Sequence, residues 1–468
     1  MFLRYVYYDG LAQTSYLVGC QSSGQAIVID PSRHIQQYVD LANREGMRIV
    51  GVCETHIHAD FVSGAKQFAE QYGVTLYLSG EGGADWQYEY LDGLPHVLLH
   101  DGHEFRIGNL LFRVLHTPGH TPEHISFLLT DESSAAKQPI GLFSGDFVFV
   151  GDVGRPDLLE KSVGIAGTST EMAGKMYDSL QRLRLLPDFL QIWPGHGAGS
   201  SCGRALGAVP STTLGYEKIA NWAFQELDRD EFIQRLLSGQ PQPPKYFAKM
   251  KQVNRQGPDR LPTIEPTQFT SISKTTLSLW AERGVILDVR PSRDFADSHV
   301  RGSLNIPYGK SFLTWAGSLL SYDKAIYLIG DERVIPSVIR DLQAIGMDGV
   351  EGWLDWETSR SQLDESVFQS YRRIDAAAAK TLVDERKFTV LDVRNLDEWN
   401  AGHVDGAIRI AVTDLPAKVH DIHAERPVLV HCQSGYRSAI AASILQANGM
   451  EEVWDLTGGY HSWKQVEA

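Results

Sequence analysis

The sequence predicts a multidomain α/β protein, and three observations lead there. The chain has 468 residues, and at about 100–200 residues per domain that length calls for two to four domains. Its first half alternates short β-branched runs with helical stretches, the pattern of α/β units. Its second half carries one segment twice: 285–290 (VILDVR) returns as 390–394 (VLDVR), His299-Val300 as His403-Val404, and 342–347 (LQAIGM) as 445–450 (LQANGM). The offsets are 104, 104 and 103 residues, too long for a solenoid repeat, so they mark two copies of a whole domain.

Taken in order, 26–30 (AIVID) is a predicted strand ended by Pro31, 35–45 a helix and 48–54 the next strand. Further strands are predicted at 110–115, 125–129 and 140–143, and helices at 172–185 and 214–238. Residues 239–244 (GQPQPP) and 256–266 (QGPDRLPTIEP) are rich in Pro and Gly, the signature of a domain end and a linker. The predicted domains are therefore 1–250, 262–360 and 374–468, with the polar run 361–373 between the repeats.

Composition narrows the function. Hydrophobic residues at 43% and charged residues at 22% exclude a disordered chain. The net charge of −15 argues against nucleic acid or an anionic membrane as partner. No apolar run approaches the roughly 18 residues that span a bilayer, and the first residues lack a signal-peptide pattern. Four cysteines are too few for a disulfide scaffold and fit a reducing, cytoplasmic compartment.

The chemistry-bearing residues come in two groups. In the first, His56-Ile57-His58-Ala59-Asp60 follows the strand at 48–54. Residues i and i+2 of an extended segment share a side, so His56, His58 and Asp60 can converge. Pro118-Gly119 predicts a turn that presents His120 at its tip, Asp146 ends the strand at 140–143, and Pro194-Gly195-His196 repeats the turn device. Each donor sits at a strand end, where a rigid sheet can gather nitrogen and oxygen ligands from distant sequence. His116 and His124 are expected to make polar contacts nearby. Cys20 and Cys53, in apolar strands, are expected in the core. Cys202 lies six residues past His196 in a Gly- and Ser-rich loop, within reach of the same pocket and able to handle sulfur.

The order HxHxD, PGH, GD, PGH resembles the metallo-β-lactamase superfamily. With 15–19 (SYLVG), Ile29-Asp30-Pro31 and Gly154-Arg155-Pro156-Asp157, it resembles the glyoxalase II and persulfide dioxygenase branch. The resemblance implies an αββα sandwich with metal at one edge. Hydrolases of the superfamily read HxHxDH, the last histidine holding a second metal; here that position is Phe61, which has no donor atom. One metal is therefore expected. Two histidines and one carboxylate are the pattern of non-haem Fe(II) oxygenases. The persulfide dioxygenases imply His56, His120 and Asp146 as ligands of one Fe(II), with Zn as a replacement. His58 is placed with the metal, as a neighbour or a direct ligand. Asp60 and His196 become outer groups or a vestigial second-metal site. Arg155 and Asp157 match a segment lining the substrate cleft, where Arg155 would hold an anionic group, and Tyr177 lies on a helix expected beside it.

The second group is Cys432-Gln433-Ser434-Gly435-Tyr436-Arg437, between a predicted strand at 428–431 and a helix. A helix N-terminus and a ring of N–H groups favour the thiolate there. Gly435 permits the tight loop, and Arg437 can pair with an anion. This C-x4-R loop, with 391–394, Trp399, Gly402-His403-Val404 and Gly458-Gly459-Tyr460, resembles the rhodanese family across 375–468. The family's phosphatase relatives have one more loop residue; the shorter loop suits sulfur. Aligned through LQAIGM, the middle repeat has Ile329 at the cysteine position, Glu332 for Gly435 and Val334 for Arg437, so it is expected to be an inactive rhodanese domain serving as spacer or docking unit.

Together these features resemble bacterial fused persulfide dioxygenase–sulfurtransferases. The implied function is Fe(II)-dependent oxidation of a low-molecular-weight thiol persulfide by O2 to sulfite, coupled through Cys432 to thiosulfate, in sulfide and sulfane-sulfur detoxification. The alternatives are a Zn-dependent thioester hydrolase of glyoxalase II type with an appended sulfurtransferase, and a non-catalytic sulfur relay. The carrier thiol is not legible, and a homo-oligomer is left open.

Overall fold

The computed structural model describes residues 1–158, 160, 167–270, 273–423 and 425–467. They form two compact units, the first of Met1–Leu261 with Gln343–Gly346, the second of Pro262–Leu342 with the residues from Met347 onward.

The first unit holds two six-stranded sheets. In one, β1 (Phe2–Tyr8), β2 (Gln13–Cys20), β3 (Gln25–Ile29), β4 (Arg48–Cys53), β5 (Thr75–Ser79) and β6 (His96–Leu99) lie in sequence order. In the other, β7 (Glu104–Ile107), β8 (Leu110–His116), β9 (Ile125–Asp131), β10 (Gly141–Gly145), β11 (Gln191–Pro194) and β12 (Thr212–Thr213) do the same. Strand alternation decides the layers. Tyr16, Val18, Ile27 and Ile29 pack with Phe112, Phe127 and Phe143 of the second sheet. Their neighbours Leu17 and Val28 pack with Tyr38 and Phe68, from helices Gln36–Arg44 and Ala65–Tyr72. Across the second sheet, Leu142 and Ile192 meet Met176, Leu180 and Phe232 of helices Thr168–Arg184 and Arg229–Leu237. Both faces of each sheet are covered, which gives the expected αββα sandwich.

Two sequence expectations change here. The helix predicted at 214–238 is three pieces: Leu214–Ala220, a 3-10 turn Trp222–Phe224, and Arg229–Leu237. The break is made by Asn221, whose side chain accepts from the Ala223 N–H and donates to the Asp152 carbonyl and Glu217. Asp228 restarts the helix with a capping box. The presumed domain end at 250 falls inside a helix, Phe247–Gln256, that belongs to the first unit. Its buried Asn254 accepts from the Ser63 N–H and donates to the carbonyls of His58 and Phe61, clamping the loop that follows β4.

The second unit contains the same sheet twice. Strands Thr267–Phe269, Val350–Asp355, Ala325–Gly330, Gly284–Asp288 and Leu304–Asn305 form one five-stranded parallel sheet. Arg372–Ile374, Val453–Leu456, Val428–His431, Thr389–Asp392 and Ile408–Arg409 form the other in the same order. The run 361–373 is not a bare separator: Phe368–Gln369 pairs antiparallel with His299–Val300, inside the middle repeat. The sheet register also moves the alignment of the repeats by one residue. Val289 N–H donates to the Ile329 carbonyl as Val393 N–H donates to that of His431. Ile329 therefore matches His431, and Gly330, not Ile329, stands where Cys432 stands. Among the described residues no helix is long and apolar enough to cross a membrane.

Replacing Asn254 by alanine would leave one N–H and two carbonyls buried without partners, so Asn254→Ala should lower stability by about 3 kcal/mol. Urea unfolding of the full chain measures it; a change under about 0.5 kcal/mol would mean the loop holds itself.

Candidate functional site

The loops at the ends of β4, β8, β10 and β11 meet at one edge of the sandwich. Asp146 is central. Its Oδ2 is buried without a hydrogen-bond partner and faces His56 Nε2 at 3.8 Å and His120 Nε2 at 3.5 Å. These are too long for hydrogen bonds and close to the roughly 3–3.5 Å between two donors that share an ion at about 2.1 Å. Hydrogen bonding prepares both imidazoles. Thr55 Oγ1 lies 2.9 Å from Asp30 Oδ2, to which it must donate, and so accepts from His56 Nδ1 at 2.9 Å. His120 Nδ1 donates to the Arg155 carbonyl at 3.0 Å. Each ring thus carries its proton on Nδ1 and turns a bare Nε2 toward Asp146. Burial pulls the pKa of both histidines down, which keeps them neutral. Two neutral nitrogens and an orphaned carboxylate oxygen, all buried and mutually within 4.8 Å, fit a metal ion.

His58 is not brought into this set. Its Nε2 lies 3.2 Å from Asp30 Oδ1 and its ring packs on Phe61. Burial lowers its pKa, but the charge and hydrogen bond of Asp30 more than reverse this, lifting it to about 9. Asp30, at a positive φ of 50°, also accepts from the Thr55 N–H, so one carboxylate fixes both His56 and His58.

A second group lies beside the first: Asp60, His196 and Cys202 also offer donors within 4.8 Å of one another. Its histidine is fully engaged. His196 Nδ1 is 2.7 Å from Asp146 Oδ1 and Nε2 is 2.7 Å from Asp60 Oδ2. Carboxylates only accept, so both nitrogens carry protons. Burial opposes this charge, but the two carboxylates outweigh it and raise the His196 pKa well above the ordinary value. A Cβ at Gly195 would stand 2.7 Å from Asp146 Oδ1, so only glycine fits in this Pro-Gly-His turn. Cys202 is 1% exposed, and burial with the nearby charges of Asp60 and Asp146 pushes its thiol up, which keeps it protonated.

Three expected substrate residues have their side chains engaged within the protein. Arg155 is fully buried, and its guanidinium forks onto Asp157 at 2.8 Å and reaches the carbonyls of Ser201 and Pro241. Arg155 therefore supports the site through its carbonyl on His120, with its guanidinium taken up by Asp157 and two carbonyls. Tyr177 packs on Phe232 and donates to the Leu227 carbonyl, because its helix turns that face to helix Arg229–Leu237. His116 binds the Pro122 carbonyl, while His124 accepts from the Asp146 N–H. Sequence reasoning missed Asp30 and Asn254 as supports; a strand-ending Asp-Pro was a visible signal for the first, and nothing local marked the second.

In the C-terminal repeat, Cys432 is 1% exposed at the end of strand Val428–His431. Gly435, at φ 107°, turns its N–H onto Cys432 Sγ at 3.1 Å, a conformation that L side chains resist. Arg437 is not free: it forks onto Glu398, at 2.7 and 2.6 Å. The middle repeat touches this loop. Tyr436 OH donates to the Pro307 carbonyl, and the Asn305 N–H donates to Ser443.

Comparison with known proteins follows the same division. Residues 8–196 match the metallo-beta-lactamase superfamily, and residues 273–350 and 375–466 match the rhodanese-like domain. A crystal structure of a metallo-beta-lactamase from Staphylococcus aureus subsp. aureus COL is 44% identical, with 76% of this chain and 99% of that one covered at a TM-score of 0.70. The probable polyketide biosynthesis zinc-dependent hydrolase BaeB of Bacillus velezensis is 26% identical over 45% of this chain and 84% of its own length. A hydroxyacylglutathione hydrolase of Rhodospirillum rubrum is 32% identical over 39% of this chain, which spans 60% of that relative's length. With its αββα sandwich, its buried His and Asp metal-binding site and its twofold parallel-sheet repeat, the chain belongs to the metallo-beta-lactamase superfamily and carries rhodanese-like domains behind that fold.

Proposed function

We propose that this chain is an Fe(II)-dependent persulfide dioxygenase joined to a sulfurtransferase. One observation carries the reading: two prepared Nε2 atoms and one orphaned carboxylate oxygen form a set of three, while at the neighbouring group Phe61 offers no donor and His196 is engaged through both nitrogens. Fe(II) held by His56, His120 and Asp146 would supply the redox chemistry that joins O2 to the terminal sulfur of a thiol persulfide. The overall change balances as RSS⁻ + O2 + H2O → RSH + SO3²⁻ + H⁺. The chain's own part is positional. Thr55 and the Arg155 carbonyl orient the imidazoles, His124 and His196 hold Asp146 from its N–H and its Oδ1, and Asn254 fixes the loop between His58 and Phe61.

Cys432 would take a sulfane sulfur and pass it to sulfite: Cys–S–S⁻ + SO3²⁻ → Cys–S⁻ + S2O3²⁻. The Gly435 N–H, already on the sulfur, is placed to stabilise its negative charge. The middle repeat, with Gly330 at the cysteine position, would act as a brace for the active loop through Pro307 and Asn305. The second reading, a zinc-dependent thioester hydrolase, is favoured by the likeness to the hydroxyacylglutathione and zinc-dependent hydrolases. Oxygen uptake on a persulfide set against thioester hydrolysis separates the two.

Protein purified anaerobically should carry about one metal per chain, as a single three-ligand site requires. His56→Ala, His120→Ala and Asp146→Ala should each lose it, and His58→Ala should keep most of it. Metal analysis decides; two tightly bound ions sharing Asp146 would defeat the reading.

Cys432→Ser should leave oxygen uptake within about twofold, since the two chemistries share no residue, and shift the product from thiosulfate toward sulfite. Asp146→Ala should abolish oxygen uptake while sulfur transfer survives. If Cys432→Ser, alone and combined with Cys202→Ser, gives the parent's product ratio, this division of labour is wrong.

A further inference from the structure

The positive charge beside Cys432 is neutralised. Arg437 is held by Glu398 in a two-bonded fork, and both side chains are largely screened from water, 20% and 25% exposed. Glu398 is itself fixed: it is the third residue of helix Leu396–Asn400, where the Asn395 N–H donates to its Oε2 and its own N–H takes Asn395 Oδ1. Burial would lift its pKa, but the bond and charge of Arg437 outweigh this and hold it below the ordinary value, so it is ionised at neutral pH. The other guanidinium at the loop, Arg394, forks onto Asp392 and reaches Gln433. His431, between them in the strand, is kept neutral by burial despite Asp392. Two arginines and two carboxylates cancel, so a persulfide on Cys432 would leave the pocket with one net negative charge.

We infer that Glu398 is a specificity-determining residue that disfavours dianionic sulfur species at Cys432 relative to neutral thiols. A thiol acceptor attacks the outer sulfur as its own proton leaves to solvent; the S–S bond of the Cys432 persulfide breaks, and Cys432 departs as the thiolate. No free cation is needed for that. Sulfite must instead draw Arg437 away from a carboxylate that holds it with two hydrogen bonds. Glu398 thus acts as a brake on anionic partners, and the rate of thiosulfate formation depends on how far that fork opens.

The inference takes its biological meaning from the sulfurtransferase reading, but its first test does not need turnover. Iodoacetate and iodoacetamide differ by one charge at similar size. Each forms a C–S bond to Cys432 with loss of iodide, followed site by site with peptide mass spectrometry on the full chain. In Glu398→Gln, which keeps a hydrogen-bonding side chain of the same length, the iodoacetate-to-iodoacetamide rate ratio should rise about threefold or more, the effect of one charge several ångströms away. Glu398→Asp should stay near the parent. In the sulfur-transfer assay, the KM for thiosulfate should fall about tenfold in Glu398→Gln, a dianion feeling the charge twice, while the KM for a neutral thiol moves less than about twofold. A ratio that stays flat or falls, or KM values that move together, overturns the inference and makes Glu398 a support for the loop. A raised ratio in a protein without sulfur transfer upholds the charge effect and removes the sulfurtransferase reading instead.

Discussion

One carboxylate, Asp146, ties the metal domain together. Its Oδ2 is offered to His56 and His120, its Oδ1 is bound to His196, and its N–H is bound to His124. Burying an ionised carboxylate is costly unless charge and hydrogen bonds compensate it. Here burial would lift its pKa, yet the charge and hydrogen bond of the protonated His196 hold it well below the ordinary carboxylate value. The loops from β4, β8, β10 and β11 are therefore obliged to converge. Gly195 is glycine because the Asp146 oxygen leaves no room for a Cβ.

That shared carboxylate also explains the asymmetry between the two candidate donor groups. Oδ2 has no protein partner, whereas Oδ1 is satisfied by a protonated imidazole. The His196 ring lies between Asp146 and Asp60, bound to one carboxylate through each nitrogen. One imidazolium set between two carboxylates offsets part of the cost of burying Asp60 and Asp146. Burial keeps the Cys202 thiol protonated, and the charges of Asp60 and Asp146 add to this.

The rhodanese repeats illustrate how a duplicated domain can part chemistry from architecture. Both keep the Asp and Arg of LDVR as a buried fork, Asp288 with Arg290 and Asp392 with Arg394. Each guanidinium lies over an aromatic ring, Trp356 in one and Tyr460 in the other. The loop after the central strand of each sheet is where they diverge: one copy has a cysteine there and the other does not. The middle copy has Gly330 at the cysteine position and instead offers the Pro307 carbonyl to the C-terminal copy's Tyr436.

The sequence alone determined the parts whose signal is local. The alternation of strands and helices, the repeat near 104 residues, and the turn-forming Pro-Gly pairs before His120 and His196 depend on near neighbours, and the structure keeps them. His56, His120 and Asp146 were legible for the same reason, since each follows a strand in a recognisable motif. Other features depend on contacts between residues far apart in sequence, and these only the tertiary structure decided. Arg155 looked like a substrate ligand until Asp157, Ser201 and Pro241 closed around it. Asn254 fell outside the predicted first domain, yet it binds the loop at His58 from nearly two hundred residues away. The alignment of the repeats slipped by one residue, because an insertion between strands is invisible until hydrogen-bond register fixes which residues are equivalent. Arg437 looked like a free anion receptor, and Glu398, 39 residues earlier, had already taken it.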